Sequence, residues 1–231
     1  HPSQTAYALA IDFNLMPEET MAQTTHYFVE SIHRRDNHLS VGFLGISHLL
    51  PALTKCGQNE LAFALLEQKG NPGWLYSVIN GATTIWERWN SYIAETGTFG
   101  DVSMNSFNHY AYGSIGQWLY RTVLGIQTGE NADEAGYHKI FLTPSWGGTL
   151  TYAKGEQKTP FGKIASSWEK KDNSIVYHCT IPANTTAHLT LPASGHNSVQ
   201  ILEGAAITDT AAVSGVADFE LVSGSYTFKI C

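Results

Sequence analysis

Residues 174–181 read Ser174-Ile175-Val176-Tyr177-His178-Cys179-Thr180-Ile181. Ile175, Tyr177, Cys179 and Ile181 take every second position, with Val176, His178 and Thr180 between them. Side chains alternate across a strand, so this period gathers an apolar row on one face of a sheet. The period returns at Ala187, Leu189 and Leu191, and again at Tyr226, Phe228 and Ile230. Asp172-Asn173 and Ser223-Gly224 supply turns between runs. Short strands with regular turn punctuation predict an antiparallel β-sandwich from about Tyr137 onward. Trp168, Tyr177 and Phe228 are expected in its core, with the sandwich packed on the residues that precede it.

Upstream of the sandwich the period becomes helical. Residues 5–14 carry Ala6, Leu9, Ala10 and Phe13 along one side, and residues 18–34 carry Met21, Thr25, Phe28 and Ile32. A third run covers 45–55 and stops at Gly57, a C-terminal glycine. Asn59 is placed to cap a short helix bearing Leu61, Ala62, Leu65 and Leu66. The longest helix is expected over 106–126, capped by Asn105 or Ser106, with Phe107, Ala111, Ile115, Trp118, Leu119 and Val123 in one stripe. The polar stretch 127–136 reads as the link. The expected domains are thus 1–132, helical, and 133–231, sandwich.

Composition agrees with a packed core. Of 231 residues, 43% are hydrophobic and 14% charged, the balance of a globular chain rather than a disordered one. The formal charge of -7 argues against a nucleic-acid partner, because phosphate binding needs clustered Lys and Arg. No apolar run reaches the ~18 residues of a membrane span. Cys56, Cys179 and Cys231 stand far apart without CxxC spacing, so they indicate neither a metal site nor a full disulfide set. The opening HPSQTAYALA has no initiator Met and no secretory pattern, and reads as the middle of a longer polypeptide. The compartment stays open, with periplasmic or extracellular placement favoured over cytoplasmic.

Two segments carry candidate chemistry. In Gly81-Ala82-Thr83-Thr84-Ile85-Trp86-Glu87-Arg88-Trp89-Asn90 a carboxylate is flanked by two Trp and an Arg. Apolar neighbours would raise the Glu87 pKa, and Arg88 would lower it if the side chains meet. Glu87 is thus either a base or nucleophile in a Trp-lined pocket, or half of an ordinary ion pair on a helix surface. In Met104-Asn105-Ser106-Phe107-Asn108-His109-Tyr110-Ala111-Tyr112-Gly113, His109 falls in the expected first helical turn, off the apolar stripe. It is either a hydroxyl-binding imidazole or a His satisfied by backbone. The ten His show no HExxH or zinc-type spacing, which rejects a metal site. No GxxxxGK[ST], GxGxxG or GxSxG occurs. Asn184-Thr185-Thr186 fits a glycosylation sequon or a plain polar turn.

These two segments resemble signatures of the inverting α-L-rhamnosidase family of glycoside hydrolases. The likeness extends to Gln4-Thr5-Ala6-Tyr7-Ala8-Leu9-Ala10, Asn37-His38-Leu39 with Gly42-Phe43-Leu44-Gly45, and Asn71-Pro72-Gly73-Trp74-Leu75-Tyr76. It continues in Leu150-Thr151-Tyr152-Ala153-Lys154 and Ile181-Pro182-Ala183-Asn184-Thr185-Thr186. The resemblance implies two domains, α plus β: part of an (α/α) toroid of six hairpins, then a C-terminal antiparallel β-sandwich. It implies Glu87 as general base, His109 as a contact to bound rhamnose, and Trp74 and Trp86 near the sugar pocket. It implies no cofactor, and as partners a rhamnose-containing glycoside or polysaccharide and the missing N-terminal part of the same polypeptide.

Two departures stand out. Ser40-Val41 replaces a Thr-rich pair, and the DxxxRDE block of the family's general acid is absent from the 231 residues. An inverting glycosidase needs two carboxyl groups about 6.5–9.5 Å apart, so this chain alone is expected to be inactive, with Asp101 and Glu95 the residues to examine for a second carboxylate. A carbohydrate-binding or structural fragment, and a toroid glycosidase for another sugar, are the alternatives. Glu87 is expected beside Trp74 or Trp86, with His109 facing the same space.

Overall fold

The computed structural model describes residues 2–129, 131–132, 134–193, 198–204, 207–209 and 215–231. The chain divides into two compact units, residues 1–118 with 147–149, and residues 119–146 with 150–231.

The first unit is helical. Its helices are α1 (Gln4–Asp12), α2 (Glu18–His33), α3 (Phe43–Lys55), α4 (Asn59–Leu66), α5 (Trp74–Ile79) and the single turn α6 (Ile115–Trp118). Between α5 and α6 runs a long connection holding one small hairpin, β1 (Tyr92–Ile93) against β2 (Thr98–Phe99). Ile11, Phe28, Ile32, Leu49, Leu53 and Phe63 are fully buried, and each such side chain contributes about 1.5–3 kcal/mol relative to exposure. The α3 stop forms as its sequence requires. Gly57 has φ +71°, its N–H reaches the Thr54 carbonyl at 2.9 Å, and the Gln58 N–H reaches Leu53 at 2.8 Å. That is the paired bonding of a Schellman cap.

Three helix readings need correction. On α1 the buried row is Gln4, Tyr7, Ala8 and Ile11, whereas Ala6 is exposed and Phe13 is 56% exposed. The face turned because Gln4 is a buried structural bond-maker. Its Nε2 donates to the carbonyls of Ser31 (3.3 Å) and His38 (3.2 Å), and its Oε1 accepts from the Ser40 N–H at 2.6 Å. Asn59 is the first residue of α4, and Gln58 holds the cap position without a side-chain hydrogen bond.

The expected helix over 106–126 does not form as one element. Helical structure begins as a 3₁₀ turn at Ala111–Ser114, continues through α6, and ends as a π turn at Leu119–Val123. Residues 106–110 stay outside the helix because their backbone groups bond across to residues 84–87, as described below. Gly113 and Gly116 weaken the remainder, each costing about 1 kcal/mol relative to Ala in a helix.

Residues 147–149 belong to the helical unit. A Cβ at Gly147 would lie 2.4 Å from the Phe63 ring, so only glycine fits there. The Glu67 carboxylate accepts from the Thr149 N–H at 2.8 Å and from its hydroxyl at 3.0 Å.

Among its described residues the second unit holds two five-stranded sheets. One runs β10 (Ile207–Asp209), β11 (Val216–Leu221), β8 (Thr186–Pro192), β4 (Lys139–Leu142), β3 (Ile126–Thr128). The other runs β5 (Tyr152–Thr159), β6 (Gly162–Lys171), β7 (Ser174–Ile181), β12 (Gly224–Ile230), β9 (Val199–Glu203). Of the period-two rows, Tyr177, Cys179 and Ile181 on β7, Ala187, Leu189 and Leu191 on β8, and Tyr226, Phe228 and Ile230 on β12 are buried, while Ile175, at the start of β7, is half-buried. Phe219 of one sheet meets Phe228 of the other with ring centroids 5.1 Å apart. Trp168, Tyr177 and Phe228 are at most 1% exposed, and the Trp168 indole donates to the Val123 carbonyl at 2.8 Å.

Two details differ from a purely antiparallel sandwich beginning near Tyr137. β4 and β8 pair in parallel, because β5, β6 and β7, all in the opposite sheet, intervene between them. β3 overlaps the start of the stretch read as a link and pairs antiparallel with β4.

Candidate active site

Two irregular segments meet where the sequence places its chemistry. The Glu87 N–H donates to the Ser106 carbonyl at 2.9 Å, and the His109 N–H to the Ile85 carbonyl at 2.8 Å. The Thr84 hydroxyl donates to the Phe107 carbonyl. The pairing is completed by a side chain: Glu87 Oε2 accepts from the Ser106 N–H at 2.7 Å. A carboxylate fixed by a backbone donor in this way forms a strong, charge-assisted bond. The other carboxylate oxygen has no hydrogen bond among the described residues.

His109 precedes the 3₁₀ turn instead of lying inside a helix. Its Nδ1 accepts from the Ala111 N–H at 3.3 Å, which places the ring proton of a neutral imidazole on Nε2. The ring stacks on Phe43, centroids 4.9 Å apart and planes 18° apart. Phe43 in turn lies 5.5 Å from the Tyr112 ring.

Tyr112 anchors an aromatic layer. Trp89 stacks on it at 3.8 Å with planes 6° apart, and Trp74 meets Trp89 edge-on at 5.5 Å. The Trp74 indole N–H is committed to the Tyr112 carbonyl at 2.9 Å, and that of Trp89 to the Val41 carbonyl at 3.0 Å. Trp74 and Trp86 are both 7% exposed. Together with Ser77, Ile85, Arg88, Trp89 and Tyr112 they line a narrow cleft. Burial pushes the Tyr112 phenol pKa up; the Arg88 charge opposes this and the Glu87 charge reinforces it. The phenol therefore remains an O–H donor at neutral pH.

Arg88 does not neutralise Glu87. Its guanidinium lies 3.5 Å from Asp101. The Asp101 carboxyl is held below its ordinary range by the Ser103 hydroxyl and N–H, with Arg88 adding to the effect. A carboxyl held ionised is poorly suited to donate a proton. Glu95 lies in the turn between β1 and β2 and is exposed. Asn105 donates from Nδ2 to the Ser91 carbonyl at 2.9 Å, while its Oδ1 is buried without a partner. An orphan acceptor of this kind is satisfied by a bound water or hydroxyl. Among the described residues no group of three or more His, Cys, Asp and Glu is arranged to hold a metal ion. No helix among them is long and apolar enough to cross a membrane.

The structure therefore brings Trp74 and Trp86 to one cleft. It joins Glu87 and His109 through the backbone pairing of their segments, with no direct bond between the two side chains. Phe43, Trp89 and Tyr112 emerge as the residues that hold this arrangement. All three sit inside the quoted motifs, yet nothing in their spacing distinguishes a stacked aromatic from an ordinary core residue.

Residues 1–123 match the family described as bacterial alpha-L-rhamnosidase 6 hairpin glycosidase domain, and residues 125–206 match the bacterial alpha-L-rhamnosidase C-terminal domain. An alpha-L-rhamnosidase of Streptomyces avermitilis is 40% identical over 228 residues, covering 99% of this chain and 21% of the relative. One from Formosa agariphila is 41% identical over 199 residues, covering 86% of this chain and 21% of the relative. The crystal structure of the Streptomyces avermitilis alpha-L-rhamnosidase complexed with L-rhamnose superposes with a TM-score of 0.91 at 39% identity, covering 99% of this chain and 21% of that one. The alpha-L-rhamnosidase of Dictyoglumus thermophilum superposes with a TM-score of 0.83 at 30% identity, covering 99% of this chain and 25% of that one. The chain thus spans about a fifth of the length of the curated relatives it matches. Helices and strands fall as the two family domains require, and the chain belongs to the bacterial α-L-rhamnosidase six-hairpin glycosidase family.

Proposed function

We propose that this chain supplies the general-base side of an inverting α-L-rhamnosidase, acting on terminal α-L-rhamnose in a glycoside or polysaccharide. Glu87 takes a proton from the water that attacks the anomeric carbon. A general acid outside these residues protonates the departing oxygen. His109 holds a rhamnose hydroxyl through Nε2–H, and Trp74 and Trp86 form the wall behind the base. No cofactor enters the scheme.

The observation that carries this reading is the Glu87 carboxylate: Oε2 is fixed by the Ser106 N–H at 2.7 Å, and the second oxygen is left for water. A base must be held in one geometry and still reach its proton. Family membership and relatives near 40% identity supply the substrate class.

The test is Glu87→Gln in the intact enzyme that contains this chain. The amide keeps the shape but cannot serve as base. Turnover of 4-nitrophenyl α-L-rhamnoside should fall about 10²–10⁴-fold, mainly in kcat, with rhamnose binding retained. Proton NMR of the wild-type reaction should show the β-anomer of rhamnose first. Initial release of the α-anomer, or unchanged kcat in the variant, overturns the assignment.

A further inference from the structure

Ser91 is fully buried, and three stretches of chain close on it. Its hydroxyl accepts from the Arg88 N–H at 3.2 Å, and its N–H donates to the Arg88 carbonyl at 3.2 Å. Those two bonds close the turn that follows Glu87. The Ser91 carbonyl accepts from the Gly100 N–H at 2.9 Å, just past β2, and from Asn105 Nδ2 at 2.9 Å. A Cβ at position 100 would lie 2.6 Å from the Asn90 carbonyl oxygen, so this approach is open to glycine alone. Asn105 directly precedes Ser106, whose N–H holds Glu87 Oε2 at 2.7 Å. One side-chain bond therefore joins the turn after the carboxylate to the segment that tethers it.

The partner fixes the orientation of the amide. A carbonyl only accepts, so the nitrogen of Asn105 faces Ser91. Residues 101–104 and 106–108 are exposed, and Asn105 alone among them turns inward. Its Oδ1 is buried with no hydrogen bond among the described residues, and a buried acceptor left unmatched costs stability. An apolar side chain would fill the space without that cost, so what the amide adds is its donor. A second tie nearby, Arg88 to Asp101 at 3.5 Å, has both side chains open to solvent, and exposed ion pairs contribute little.

Building on the reading of Glu87 as general base, we propose that Asn105 is a positioning residue for it. Asn105 acts through Ser91 and Ser106 and needs no contact with substrate. By holding the Ser91 carbonyl it sets where the Ser106 N–H stands, and with it the Glu87 carboxylate.

The experiment uses the intact enzyme that contains this chain, with 4-nitrophenyl α-L-rhamnoside as substrate. Asn105→Ala removes the donor and the unmatched acceptor together, and the Ser91 carbonyl keeps its bond from Gly100, so no buried group is stranded. In this variant kcat should fall about tenfold, part of the ~10²-fold that a misplacement of about 1 Å costs, with KM within about twofold. The acidic limb of the kcat/KM profile reports the base. It should move to higher pH, because a hydrogen bond to the charged form favours that form and its loss favours the neutral one. Hydrogen exchange at the Ser106 amide should rise. Asn105→Asp keeps the side-chain size and replaces the nitrogen by oxygen, so at pH 7 its kcat should fall to a similar degree without any loss of volume. Wild-type kcat in either variant overturns the positioning role. So does a fall in activity with the acidic limb and the Ser106 exchange unmoved, which is the mark of lost packing alone. The base reading fails separately: if Glu87→Gln keeps wild-type kcat, both assignments fall, whereas an inactive Glu87→Gln beside a fully active Asn105→Ala removes only the role of Asn105.

Discussion

The Ser106 backbone both gives and receives at Glu87: its N–H reaches Oε2 at 2.7 Å, and its carbonyl takes the Glu87 N–H at 2.9 Å. A glutamate tied at both backbone and carboxylate has little conformational freedom. Its position, and not only its chemistry, is then set by the fold.

Shortening the side chain separates the two. Glu87→Asp keeps the charge and withdraws the carboxylate by one methylene. A misplacement of about 1 Å costs on the order of 10²-fold when geometry limits the reaction. The loss in the intact enzyme should appear in kcat on an aryl rhamnoside. Full activity in the aspartate variant would show that the Ser106 tether does not set the position of the base.

His109 acts through a different quantity. Its Nδ1 is engaged by the Ala111 N–H and its ring rests on Phe43, so the role left to it is donation from Nε2. His109→Ala removes one neutral hydrogen bond, worth about 0.5–1.5 kcal/mol, or about 2–12-fold in kcat/KM. On the proposed reading, in which that contact also orients the sugar, KM should rise and kcat should fall. Steady-state kinetics on an aryl rhamnoside decide it; an unaltered KM and kcat would remove His109 from the substrate contacts.

Gln4 carries a stability prediction. It is 3% exposed and serves the carbonyls of Ser31 and His38 and the N–H of Ser40. Gln4→Leu keeps most of the volume and strands these groups, at about 2–4 kcal/mol in total. Chemical denaturation should show the loss. Hydrogen exchange should rise at residues 38–41, the segment that Gln4 ties to α1. A midpoint equal to wild type would mean that the loop holds itself.

Cys179 reports on the sandwich. Burial pushes its thiol from an ordinary 9.0 up to about 12. Below pH 9 both states keep the proton and the residue makes no pH dependence. Above pH 9 the unfolded chain releases a proton that the folded chain retains, so stability falls as pH rises toward about 12. The fall in denaturation midpoint between pH 8 and 10.5 should be shallower in Cys179→Ala. At neutral pH the exposed Cys231 should react with a thiol reagent at once, and Cys179 only on unfolding.

The β unit and much of the helical unit were legible in the residues. An alternation such as Tyr177, Cys179 and Ile181 specifies both strand and buried face, because the period of two leaves a single register that hides every apolar side chain. Gly57 marked its helix end for an equally local reason, being the residue that takes a positive φ at no steric cost. The motifs around Glu87 and His109 were legible in the same way, since they lie in unbroken stretches of sequence.

Tertiary structure decided what those stretches become. Residues 106–110 carry a helical pattern, yet Ser106 and His109 bond across to Glu87 and Ile85, and those bonds displace the intrahelical ones. Phe107, drawn into the same segment, packs edge-on against Trp86. Gln4 reads as a polar surface residue and is buried because three backbone groups from α2 and the loop after it converge on it. The parallel pairing of β4 with β8 depends on strands that leave for the opposite sheet. Periodicity records which face of an element is apolar; the partner of each backbone and side-chain polar group is set by segments tens of residues away, and that pairing exists only once the chain has folded.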